Sequence, residues 1–335
     1  MSSAAAPATG STPPRRGQRR RRSAEDVAGL GRTGAGVFVA PALALIGLFL
    51  VFPAIWTIYL GMTDYRLTGF AAVDPEFVGL DNYARILGDP TFWRSLRLTL
   101  VFVLVSGIIG QSLLGFAVAW ALRRITGWAK TLIETLVLAA WVVPASVASF
   151  LWIALLDRRE GTLNEILGTT GMAWLIEYPM ASIIVFNIWV GTAFSMLLFS
   201  SALAAVPPSQ LESARMAGAT GWQQLRDVVI PNIRGHILTN TLLITLWTFN
   251  TFTPYLVTAG GPNGESEIIA VYIYNTAIPG GQLGVGAAIS LIMLLINLVV
   301  ALGYLRVGRA RGARPAEASA AEASAAEAGP TEKAP

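Results

Sequence analysis

The chain has no cysteine and a single histidine, His236, among its 335 residues. This excludes disulfides and thiolate-bound metal, and leaves no set of histidines for a metal centre. Charge is also scarce. Asp, Glu, Lys and Arg make up 13% of the residues, well below the roughly 25% of soluble domains. Hydrophobic residues account for 54% and the mean hydropathy is +0.57. A chain of this composition is a membrane protein, and no separate soluble catalytic domain fits between its tails. The phosphate cradle G-x-x-x-x-G-K-[ST] is missing, so ATP cannot be held in the usual way. There is no H-E-x-x-H, no G-x-S-x-G and no intramembrane carboxylate pair to act as acid and base. No catalytic residue, metal or cofactor is expected.

Apolar runs are abundant. A hydrocarbon core of about 30 Å takes about 20 helical residues, and charge-free stretches place helices near 36–60, 97–122, 132–156, 181–205, 235–258 and 284–305. The expected fold is all-α and polytopic, with about six transmembrane helices. The domain reading is a basic tail over 1–35, a membrane domain over 36–308 and a tail over 309–335, with both tails disordered. The first span is longer than the 7 to 15 residues of a signal-peptide core and ends without an Ala-x-Ala-like site, so it is expected to stay as an anchor.

The fourth connection is organised. Ser209 followed by Glu212 fits an S-x-x-E capping box, which sets a helix start near Gln210. Gly218 permits the positive φ that ends a helix, Thr220 and Gln223 offer a second box, and Pro231 stops the segment. Helix, turn and helix follow one another within a polar loop at 207–232. With Glu212, Ser213, Ala214, Gly218 and Ile230-Pro231 at the pattern's spacing, this stretch resembles the EAA loop in permease subunits of binding-protein-dependent ATP-binding-cassette importers. It departs where relatives mostly carry Ala at position 213 and often Asp at 217. Two outward segments extend the resemblance to sugar-type members such as the maltose and glycerol-phosphate permeases. They are Phe77-Val78-Gly79-Leu80-Asp81-Asn82-Tyr83, and Gly260-Gly261-Pro262 with Glu267 through Tyr274.

The resemblance implies a type I importer permease with a cytoplasmic coupling helix. Its partners would be an ATPase dimer, a second permease subunit and an extracytoplasmic solute-binding protein. Glu212, Ser213, Ala214, Gly218 and Pro231 would meet the ATPase. The distribution of Arg and Lys agrees with that orientation. Arg15, Arg16, Arg123, Arg124, Lys130, Arg215, Arg226, Arg234 and Arg306 fall on the side of the loop, against Arg66, Arg85, Arg94, Arg97, Arg158 and Arg159 opposite. Both termini are then cytoplasmic, in the plasma membrane. The Arg-rich arm at 15–22 is read as a lipid-contacting tail, with no nucleic-acid partner.

Polar and aromatic groups inside spans mark a pathway or a helix contact. Asn187, Gly191 and Phe194 fall on one face of the fourth span. Trp247, Asn250 and Pro254 do so on the fifth, and Gln111 and Asn297 are weaker candidates. Aromatic rings beside amides suit a neutral sugar, because C–H faces stack while hydroxyls pair with the amide. Sugar-type relatives line their pathway from the equivalent helices. An ion-gradient-driven transporter is the alternative, but it would want intramembrane carboxylates and inverted repeats. An intramembrane enzyme lacks any reactive constellation here.

Overall fold

The computed structural model describes residues 32–169 and 171–327, and the expectation for the first 31 residues lies outside them. The chain divides into two compact units between Trp56 and Thr57. The first consists mainly of α1 (Gly36–Gly61), an unbroken apolar helix of spanning length. The second holds all the remaining elements. No strand forms among the described residues beyond one isolated bridge between Thr63 and Phe77.

The second unit begins with a short α2 (Asp81–Gly88) and the long α3 (Pro90–Leu122). Asp89 caps α3 by accepting from the Thr91 amide, with Pro90 in the first turn where its missing N–H costs nothing. Next come α4 (Trp128–Val142), α5 (Ala145–Leu155), the short α6 (Thr162–Leu167) and α7 (Trp174–Glu177), and then α8 (Pro179–Ala204). The chain continues through α9 (Pro208–Met216), α10 (Ile230–Phe249), α11 (Thr253–Thr258) and α12 (Ile269–Ala277). It closes with α13 (Leu283–Glu327).

The span count differs from the sequence expectation of about six. Four helices among the described residues are long and apolar enough to cross a membrane, or five if the bent pair α4 and α5 is one span. The third expected span bends by 103° between these two helices. Val143 is extended there, as the residue before Pro144 must be. The fifth expected span is split. α10 carries Arg234, His236 and Asn240 and ends at Phe249, and α11 starts afresh three residues beyond Asn250. At the other end of the chain, α13 runs past residue 309, where a disordered tail was expected, through the Ala-Glu-Ala-Ser repeats to Glu327.

Small residues set the central packing. A Cβ on Gly115 of α3 would lie 2.3 Å from the Ser195 side chain and 2.9 Å from the Met196 nitrogen of α8, so only glycine allows this approach. Gly107 lies under Thr248 and Ile244 of α10, whose side-chain atoms would stand 3.0 and 3.1 Å from an added Cβ. Three buried clusters flank these contacts. The one around Phe199, Leu203, Val229 and Ile233 also holds Leu211 of α9.

Candidate functional site

Two places gather the sequence candidates. The first is a cavity of about 40 Å³ between α3, α4, α8 and α10, lined by Gln111, Trp141, Asn187, Gly191, Phe194 and Trp247. The rings of Trp141, Phe194 and Trp247 form a triangle, with centroids 6.0, 6.3 and 6.0 Å apart. These separations lie in the attractive range for tilted aromatic pairs. Small-molecule pockets run to about 300–1,000 Å³, so the triangle is drawn together over a space too small for a sugar ring. No ionisable side chain lines the cavity.

The polar wall is tightly engaged. Buried Gln111 lies flat on Gly191, where an added Cβ would meet its Cδ at 2.1 Å. Its Nε2 donates to the Asn187 carbonyl at 2.9 Å. Asn187 Nδ2 donates to Ser106 Oγ at 2.7 Å, and Ser106 Oγ donates to the Phe102 carbonyl. Asn187, Gly191, Phe194 and Trp247 are thus brought together as expected, and Gln111 joins them as a principal member.

Asn250 is not brought to the cavity. It ends α10, exposed, donating to the Leu246 carbonyl at 2.6 Å and accepting from Asn297 at 3.2 Å. The helical spacing that grouped Trp247, Asn250 and Pro254 presumes a continuous helix, and the break at Asn250 removes it. Trp141 escaped the sequence reading because it stands in an unbroken apolar run. The signal available was Pro144 three residues on, which turns α4 away and leaves the indole at the bend.

The second place is the surface built on α9. Its helix begins at Pro208, with Pro207 as an extended cap, so Ser209 already lies inside the first turn. The Ser209–Glu212 box therefore does not form, and Glu212 is exposed with no hydrogen bond or ion pair among the described residues. The far end agrees with expectation. Gly218 has φ +78°, its N–H donates to the Arg215 carbonyl at 2.9 Å, and the Ala219 N–H donates to the Ala214 carbonyl at 3.0 Å. This is the paired bonding of a Schellman turn. Thr220 and Gln223 then form a complete capping box.

Pro231 does not stop the helix that follows. Helical backbone continues from 221 to 249, with a widened π-turn at Gln224–Val229 immediately before Ile230 and Pro231. A proline ring inside a helix crowds the preceding turn and lacks its N–H, and local widening relieves both conflicts.

Two tethers hold α9 to the bundle: Leu211, buried at 8% exposure in the core, and Gln210, which accepts from Asn232 Nδ2 at 2.8 Å. Its outer face presents Glu212, Ser213, Met216 and, after the turn, Trp222, while Ala214 is half-buried. Met216 is 90% exposed and Trp222 67% exposed. Arg123 is close by, its pKa lowered by burial and then by repulsion from Arg215 and Arg124. The result is a surface of apolar, acidic and basic side chains on a helix closed at its C-terminal end by the turn at Gly218.

Comparisons with known proteins agree with this architecture. Residues 111–312 match the family described as binding-protein-dependent transport system inner membrane component. A probable ABC transporter permease protein of Pyrococcus horikoshii is 31% identical over 80% of this chain and 93% of its own length. The trehalose/maltose transport system permease protein MalF of Thermococcus litoralis is 29% identical over 82% of this chain and 93% of its own. The trehalose transport system permease protein SugA of Mycobacterium tuberculosis is 30% identical over 82% and 88%. Among solved structures, a chain of a bacterial alginate ABC transporter, in complex with a periplasmic protein carrying an alginate pentasaccharide, superposes with a TM-score of 0.67. It does so at 18% identity over 82% of this chain and 93% of that one, a similarity of fold. With its apolar helices and this agreement over most of its length, the chain belongs to the binding-protein-dependent transport system inner membrane components and is a membrane-embedded permease subunit of an ABC transporter.

Proposed function

We propose that this permease subunit imports a neutral sugar across the cytoplasmic membrane, driven by ATP hydrolysis on a separate ATPase dimer that engages α9. A second permease subunit and an extracytoplasmic solute-binding protein complete the assembly, and both termini face the cytoplasm. The observation that carries the sugar assignment is the cavity of three aromatic rings and two amide side chains without an ionised group. Rings offer stacking to pyranose C–H faces, and amides offer donors and acceptors to hydroxyls, whereas a charged solute would require a counter-charge. The relatives named for trehalose and maltose transport point the same way.

In this reading Asn187, Gly191, Phe194 and Trp247, with Gln111 and Trp141, line the solute pathway in a closed state. Asn250 takes no direct part. Opening requires the ring triangle to part and Gln111 to leave Gly191. Glu212, Ser213, Ala214 and Gly218 contribute to the ATPase contact: Glu212 by direct interaction, Gly218 by holding the turn. Pro231 acts at one remove, by fixing the widened turn at the base of α10. Because Leu211 and the Gln210–Asn232 bond tie α9 to the bundle, movement of α9 with the ATPase is transmitted into α10, which carries Trp247. Such a device transports only if solute and ATPase favour different states.

Uptake of labelled trehalose and maltose into proteoliposomes containing the assembled complex tests this. ATP-dependent uptake that Trp247→Ala weakens by raising the half-saturating sugar concentration supports it. Uptake that needs no ATP, or that is confined to charged solutes, contradicts it.

A further inference from the structure

The face that α10 and α13 share near α9 takes no part in the aromatic cavity. The two helices run antiparallel there. Asn297 donates to Asn250 at 3.2 Å, Tyr304 Oη lies 3.5 Å from Thr245 Oγ1, and a Cβ on Gly308 would stand 3.1 Å from Leu238 Cδ2. These contacts step toward the start of α10 as α13 runs toward its end. Beside the last of them is a groove of about 270 Å³, walled by Leu238, Thr239 and Leu242 of α10 and by Tyr304, Leu305 and Gly308 of α13. The Thr239 hydroxyl donates to the Gly235 carbonyl at 3.0 Å, and Leu305 is 49% exposed. The groove therefore presents mainly hydrocarbon to its surroundings.

Its depth in the bilayer follows from α13. The apolar span of that helix ends at Gly308, so the groove occupies the last stretch of hydrocarbon and the residues beyond it meet the headgroups. There the charges are of one sign. Arg309 and Arg311 come about one turn after Leu305 and Gly308, Arg314 follows, and exposed Arg234 lies about one turn before Leu238 on α10. Neither α10 nor α13 as far as Ala316 contains an acidic residue. Among the described residues the ion pairs are Lys130–Glu134 and Arg226–Asp227, which leaves Arg234 without a carboxylate. At about 3.6 residues per turn, Arg306 falls on the face of α13 away from Tyr304, Leu305 and Gly308.

We infer that this groove binds an anionic phospholipid, with an acyl chain along Leu238, Leu242 and Leu305 and the phosphate held by Arg234, Arg309 and Arg311. A groove that is apolar within the span and cationic just beyond it is complementary to a molecule with an anionic head joined to hydrocarbon. Free phosphate would leave the apolar walls uncovered. A neutral phospholipid would cover them but leave the arginines without a net counter-charge. The bound lipid braces α10 just beyond Asn232, whose Nδ2 holds Gln210 of α9.

Lipid contact can be read at the groove itself. Because the chain has no cysteine, Thr239→Cys at the exposed rim carries the only bimane label in a complex whose other subunits are free of cysteine. The assembled complex is placed in nanodiscs containing increasing fractions of lipid with brominated acyl chains, which quench on contact. Each arginine near a membrane surface strengthens binding of anionic lipid about fivefold. Brominated phosphatidylglycerol is therefore expected to reach half-maximal quenching at about one-tenth of the fraction that brominated phosphatidylcholine requires. Arg234→Gln with Arg311→Gln should bring the two lipids within about twofold. Arg306→Gln, the same charge change on the far face, should keep the preference, and millimolar inorganic phosphate should not relieve the quenching. Equal quenching by both lipids in the wild type overturns the inference, as does an equal loss of preference in the Arg306 variant, which marks a general surface potential. Relief by phosphate would mark a soluble-anion site, and no quenching by either lipid would mark a groove covered by a neighbouring subunit; each overturns it as well. The readout needs neither solute nor ATP, so its failure leaves the importer reading intact.

Discussion

Gly191→Ala, taken alone and with Gln111→Ala, tests the geometry of the aromatic cavity. The added methyl would lie 2.1 Å from Gln111 Cδ, where carbon contacts are comfortable at about 3.5 Å or more. The amide must therefore retreat by about 1.4 Å, and it loses its bond to the Asn187 carbonyl. Overpacking of this kind costs about 1–3 kcal/mol, and an interhelical hydrogen bond in a membrane averages about 0.6 kcal/mol. Gly191→Ala should therefore destabilise by about 2–3 kcal/mol. Gln111→Ala gives up the bond and some packing, about 1 kcal/mol. The double variant removes the clash and should cost about as much as Gln111→Ala alone. That makes the coupling energy about −2 kcal/mol. Reversible unfolding of the four proteins in detergent measures the cycle. Additivity within about 0.5 kcal/mol would refute a direct Gln111–Gly191 contact.

Three further outcomes follow from named contacts. Gly218→Ala forces an L-residue to φ +78°, so α9 should lose about 1 kcal/mol of local stability. ATPase stimulation should fall while the complex still assembles, and unimpaired stimulation would show that the turn does not shape the contact. Thr220→Ala removes a complete cap, at a cost of about 1 kcal/mol, readable as faster amide exchange over 221–224. Asp89 has a folded pKa below its unfolded value of about 3.9, so its contribution is present above about pH 4 and disappears as pH falls further. The thermal stability gap between wild type and Asp89→Asn should narrow from pH 6 to pH 3, and a widening gap would reverse the sign argued here.

What could be read from the sequence was set by neighbours in the chain. Gly218 and the Thr220–Gln223 box behave as their local chemistry dictates. Apolar runs that contain no proline and few polar groups, at 181–205 and 284–305, appear as α8 and the membrane part of α13. Failures arose where a single residue decided between two local outcomes. Pro208 moved the start of α9 ahead of Ser209, because proline is favoured in a first turn and left the serine no amide to cap. Pro144 bent an apolar stretch in its middle, and that proline was its only local signal of a break. Pro231 was accommodated by a wider turn instead of ending the helix. The aromatic cavity was half visible. Two faces could be found by helical spacing, but Trp141 and Gln111 reach it from other helices, a tertiary fact that periodicity within one element cannot carry.

The central claim is that α9 couples ATP hydrolysis to solute movement. Its most direct test is ATP hydrolysis by the ATPase dimer assembled with this chain and its partner permease, with and without sugar-loaded binding protein, for wild type and Glu212→Ala. Glu212 is exposed and makes no hydrogen bond among the described residues, so its loss should leave the fold untouched. Loaded binding protein should stimulate the wild-type complex, and the intact Glu212→Ala complex should not respond. Full stimulation of the variant, or sugar uptake by this chain with no ATPase present, would contradict it.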